Sequence, residues 1–211
     1  VTNLQIGRAP EVVLQPVADS PDIYYIVLDG YLRSDYIKKV LGYDNGPFLT
    51  FLKERGFYVA EKSHSNYPYT VFSLASSLNM SYVNFLSRAV GEDSKNLSFT
   101  YPIIQSNEVA RLLKTVGYRY VLIGTDWTVT NHSLLADKSL SYFSLSDENQ
   151  FFSLFMKTSI VSVFMESTED MLRATKLYAF DQIPLAGNDG KPTFIFAHIL
   201  SPHSPYVFDA Q

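Results

Sequence analysis

Four side chains in this sequence could serve one chemical task. Asp29 closes an unbroken run of β-formers, Ile23 to Leu28, and Thr70 opens the run TVFSLASSLNM (70–80). His198 sits near the end of PTFIFAHIL (192–200), and His203 lies just beyond it in SPHSPY. A strand needs no acid at its tip for stability. In open parallel sheets, however, ligands bind outside the carboxyl ends of the strands. A carboxylate, a hydroxyl at a helix start and imidazoles then converge on one rim, the composition of a metal-assisted phosphoryl or sulfuryl transfer site. A divalent ion lowers the pKa of a coordinated hydroxyl, and a helix N-terminus favours an anionic covalent intermediate. Each residue also has a plainer role open to it. Asp29 can cap the turn at Gly30, and Thr70 can be an ordinary N-cap. His203, between two prolines, can be a surface loop residue. His198, inside an apolar strand, reads as a satisfied core histidine rather than a ligand.

Those positions depend on the elements around them. IYYIVLDG (23–30) reads as a buried strand ending in a turn glycine. Residues 34–56 read as two helices parted by GYDNG and stopped at Gly56. FYVAEKSHS (57–65) reads as a short strand running into the polar SNYPY, and 70–80 as the next helix. In SNEVARLLKTVGYRYVLIGTD (106–126), Ser106 and Asn107 supply a cap. Val109, Leu112, Leu113 and Val116 share a helical face, Gly117 stops the helix, and a strand spans 118–125. Helix to strand through one glycine is half of a βαβ unit and favours a parallel sheet. A last strand covers 192–200. The expected fold is therefore α/β, a mostly parallel central sheet flanked by helices. NQFFSLFMKTSIVSVFMES (149–167) is apolar around most of a helix circumference, which suits a buried or lid helix, or one resting on a bilayer. Residues 1–20 carry Pro10 and Pro16 and read as a linker or leading segment.

Composition removes several classes. The chain has 211 residues, 46% hydrophobic and 15% aromatic, so it buries enough apolar surface to fold. A net charge of −4 without basic runs offers no nucleic-acid surface. The absence of cysteine excludes disulfides, thiolate zinc sites and a cysteine nucleophile. No charge-free apolar run reaches the length of a membrane-spanning helix.

PDIYYIVLDGYLRSDYI, GYDNGPFLTFLKERGFYVAEKSHSNYPYTVFSLASSLNM and PTFIFAHILSPHSPYVFD together resemble the alkaline phosphatase superfamily. The likeness is to its sulfatase-like, membrane-associated branches: lipoteichoic acid synthases, phosphoethanolamine transferases and nucleotide pyrophosphatase/phosphodiesterases. It covers roughly 21–82 and 192–209; 83–191 shows only a generic αβ pattern. The resemblance implies an alkaline-phosphatase-like catalytic domain, incomplete at its C-terminus, with 21–211 as its N-terminal portion. It implies Asp29 as a metal ligand, Thr70 as both metal ligand and nucleophile, and His203 beside the substrate phosphate. Ser73, one turn after Thr70, would bond a phosphate oxygen. The cofactor would be a divalent ion, zinc or manganese.

The same resemblance implies a metal-dependent phosphodiester hydrolase or phosphoryl-group transferase. Its substrate would be a lipid- or envelope-linked phosphoester. Its place would be the extracytoplasmic face of a membrane, periplasmic or extracellular, with the full-length protein membrane-tethered. The chain also departs from the family. It lacks the C/S-x-P-x-R of formylglycine sulfatases, since SNYPYT has no arginine. It also lacks the downstream Asp-His pair that completes the family's principal metal site; GTDW (124–127) has no adjacent histidine. With only Asp29 and Thr70 from that set, the 211-residue chain is expected to bind an ion weakly and turn over little. That absence supports a second reading, a non-catalytic domain binding a phosphorylated or sulfated ligand or a partner. A doubly wound nucleotide-binding module is a weak third, because the first strand leads into DGYLRSD and not into a glycine-rich phosphate loop.

Overall fold

Burial on both faces is what an apolar run such as Thr193–Ile199 requires, and it takes the middle of the sheet. The computed structural model describes Gln15 and residues 19–91, 94–142, 168–187 and 190–208. The apolar segment 149–167 and most of 1–20 lie outside the described residues. Four strands are described: β1 (Ile23–Leu28), β2 (Arg119–Ile123), β3 (Lys138–Leu140) and β4 (Thr193–Ile199). They line up in the order β1-β4-β2-β3, and every pairing is parallel. The fold is α/β, as the sequence pattern predicts. Residue 23 pairs with 194 and residue 28 with 199, so the carboxyl ends of β1 and β4 finish side by side.

Helices cover both faces, as a parallel sheet requires. On one face Tyr120, Leu122, Phe194 and Phe196 pack with α3 (Thr70–Leu78), α5 (Thr100–Gln105) and α6 (Glu108–Thr115), through Leu74, Ala75, Ile103, Ile104 and Ala110. On the other face the alternate residues Val121, Ile123, Ile195, Ala197 and Ile199 pack against Ala179 of α7 (Thr168–Gln182). Among the described residues that cover stops at β4. Tyr24 and Ile26 of β1 pair in register with the fully buried Ile195 and Ala197, yet they are 43% and 42% exposed.

Local chemistry explains the helix limits. α1 (Ser34–Leu41) has Asp35 in its first turn and Lys38 and Lys39 in its last, the arrangement the helix dipole favours. Gly42 closes it at φ +67°, its N–H donating to the Lys38 carbonyl. α2 (Gly46–Glu54) carries a proline in its first turn. α4 (Phe85–Val90) is a single short segment that sequence pattern does not predict, and β3, α5 and α7 are likewise additions. The strand expected over 57–65 is a correction: these residues join no ladder. Phe57 and Tyr58 are 61% and 92% exposed, and a turn at Ala60–Ser63 breaks the segment. A four-residue apolar run becomes a strand only where a sheet edge receives it.

Candidate functional site

Asp29 is carried one step past β1 by the same ladder: its N–H donates to the Ile199 carbonyl at 2.9 Å. Gly30 then turns the chain at φ +81°, and a Cβ there would stand 3.1 Å from the backbone of His203. Glycine is needed at that turn for both reasons. The turn therefore brings the His203 loop against the end of β1.

Thr70 is the first residue of α3, and Tyr69 precedes it as an extended N-cap with no side-chain capping bond. The plain capping role is thus not what the Thr70 hydroxyl performs. It donates to the Asp29 carboxylate instead, 3.2 Å from Oδ1 and 3.3 Å from Oδ2, across 41 residues of sequence. The amides of Phe72 and Ser73 both turn back to the Tyr69 carbonyl.

His198 comes from β4, opposite Val27 in the ladder, and is completely buried. Its Nδ1 is 3.0 Å from the hydroxyl of Thr130, itself 1% exposed. The Trp127 ring lies tilted against the imidazole, with centroids 5.2 Å apart. Its Nε2 has no hydrogen-bond partner and stands 3.6 Å from Asp29 Oδ2. That separation exceeds a hydrogen bond, so the influence between the two groups is electrostatic. The carboxyl of Asp29 is held below its ordinary range, chiefly by His198 and further by Thr70 and His203, against the opposing effect of partial burial. Asp29 is accordingly an anion at neutral pH.

The structure brings Asp29, Thr70 and His198 into one cluster and sets the exposed His203 loop against it. Ser73 is half-buried one turn along α3, and no contact joins its side chain to Asp29 or Thr70. Sequence pattern misses Thr130 and Trp127, which lie in an irregular loop after β2. It also misses Arg33, which fastens the two loops carrying Asp29 and Thr70. Its guanidinium is gripped by Asp35 at 2.7 and 2.8 Å, donates to the Ser63 carbonyl at 3.2 Å and meets His64 Nε2 at 3.1 Å. Among the described residues, no three His, Asp or Glu side chains gather closely enough to hold a metal ion by themselves. No helix among them is long and apolar enough to cross a membrane.

The molecule is thus an α/β protein with a polar cluster at the carboxyl ends of adjacent parallel strands. No family model, no curated protein and no solved structure matches the chain.

Proposed function

We propose that this chain carries the nucleophile and a metal ligand of a metal-dependent phosphoester hydrolase or phosphoryl-group transferase. The observation that supports it is the approach of the Thr70 hydroxyl to both oxygens of Asp29, within 3.3 Å. An ionised carboxylate and a hydroxyl oxygen side by side suit a hard or borderline divalent ion, zinc or manganese, and the buried, unpartnered Nε2 of His198 faces the same place. A bound ion there lowers the pKa of the threonine hydroxyl. Asp29, an anion, fixes the hydroxyl's direction and accepts its hydrogen bond. As Thr70 Oγ1 attacks phosphorus, the leaving oxygen departs in line and the Thr70 proton passes toward Asp29 and solvent. The ester that results on Thr70, still carrying the diester's second alcohol, would sit at the start of α3, where the helix dipole favours its charge. Water then releases the phosphomonoester, or an acceptor alcohol takes the phosphoryl group with its remaining ester, the first alcohol having left with a proton from solvent, and Thr70 regains its own proton. His203 neutralises or orients phosphate oxygens from the facing loop. The substrate class is a phosphodiester, lipid- or envelope-linked, met at the extracytoplasmic side of a membrane.

The test is turnover of bis-p-nitrophenyl phosphate with zinc or manganese by the full-length gene product. Thr70→Ala and Asp29→Ala are each expected to lower kcat by about 10³-fold or more. Undiminished turnover in either variant defeats the reading. A domain that binds a phosphorylated or sulfated ligand, or a partner, without turnover is the second reading, favoured by the lack of a cluster of three His, Asp or Glu side chains among the described residues. It predicts phosphate binding with no release of nitrophenol.

A further inference from the structure

We propose that His198 is a third donor to the ion held by Asp29 and Thr70, and that Thr130 is the positioning residue that aims it. This role rests on the Asp29–Thr70 ion site and extends it, because an apolar strand context argues for a satisfied core histidine. The structure shows a half-satisfied one. Nδ1 is engaged by Thr130 at 3.0 Å, while Nε2 is buried, has no hydrogen-bond partner and points to Asp29. A buried polar nitrogen left without a partner is costly, which makes a ligand for it favourable.

The separations from Asp29 also have the right size. A tetrahedral ion with bonds of about 2.0–2.2 Å places its donors about 3.3–3.6 Å apart. Thr70 Oγ1 lies 3.2 and 3.3 Å from the Asp29 oxygens, and His198 Nε2 lies 3.6 Å from Oδ2. Thr130 supplies the usual outer partner of a metal-binding imidazole: on ion binding Nδ1–H donates to its hydroxyl, and Nε2 gives up the proton with which it favours the Asp29 charge in the ion-free protein. Trp127 against the ring face limits its rotation. Three donors change the expectation for the 211-residue chain, from weak association to a stoichiometric site.

Zinc is titrated calorimetrically into the 211-residue chain and into Asp29→Asn, His198→Gln and Thr130→Val, each first checked for folding by circular dichroism. Long-range proton–nitrogen spectra track the histidine ring nitrogens in parallel. The expected result is one zinc per chain, a zinc-dependent shift of the His198 Nε2 signal, and affinity about 10–100-fold weaker in Thr130→Val and at least as weak in His198→Gln. A folded His198→Gln that binds as tightly as wild type, while Asp29→Asn does not, removes His198 from the site and leaves the Asp29–Thr70 pair standing. No stoichiometric binding by the wild type overturns the third donor and leaves the weak Asp29–Thr70 pair standing, whereas equal binding by Asp29→Asn overturns both.

Discussion

Asp29 is surrounded by groups that favour its charge: His198 above all, then the Thr70 hydroxyl and His203, with partial burial acting the other way. A carboxyl whose pKa is lower folded than unfolded contributes stability that is complete above the unfolded value, near 4. That contribution is lost as pH falls through the folded value. Urea midpoints measured across pH should therefore show a stability difference between wild type and Asp29→Asn that is constant above about pH 5 and shrinks below about pH 4. A difference that stays constant down to acid unfolding would mean that these neighbours do not favour the charge of Asp29. Asp29 and Thr70 are legible from sequence because each stands at the end of a regular element whose pattern is clear. His198 is legible only in part, since strand pattern tells that it is buried but not what its second nitrogen faces. Thr130, 68 residues away in an irregular loop, has no periodic signal that could place it against His198.

At the scale of elements, helices and strands with strong patterns appear where sequence puts them, and the loop junctions do not. β1, β2, β4, α1, α2, α3 and α6 match β-branched runs, amphipathic spacing and glycine stops. The 57–65 segment fails because its few apolar residues find no sheet edge to join. The loops that bring Asp29 and Thr70 together are held by Arg33, Asp35, Ser63 and His64, a contact made across about thirty residues and invisible to local pattern. Asn107 shows the opposite case, a cap that sequence does announce. It is fully buried, accepts from the Ala110 amide at 2.9 Å and donates to the Ile104 carbonyl at 3.0 Å. Asn107→Ala is expected to cost about 1–3 kcal/mol, because it frees a helix amide and a buried carbonyl together. Chemical denaturation checks this; a loss below about 0.5 kcal/mol, the range of a surface change, would contradict it.

At the scale of the molecule, the site depends on β4. β4 is central, pairing with β1 on one side and β2 on the other, and it supplies His198. The Thr193 amide bonds to Asp22 across 171 residues of sequence. The rim is therefore complete only when residues 193–199 lie between β1 and β2, a topology of long-range pairing. The parallel sheet then delivers Asp29 and His198 to the same end because the strand directions agree, and α3 meets them by laying its first turn over that end. Phosphoryl transfer is inferred from this convergence, and its covalent intermediate is the consequence most open to refutation. Full-length protein is mixed with a phosphodiester and zinc or manganese, quenched in acid within the first turnover, digested and mapped by mass spectrometry. The expected result is one phosphoryl group, still esterified to the substrate's retained alcohol, on the peptide containing Thr70, assigned to that residue and missing from Thr70→Ala. Release of product with no phosphoryl group on that peptide, or with the label on another residue, would contradict a threonine nucleophile.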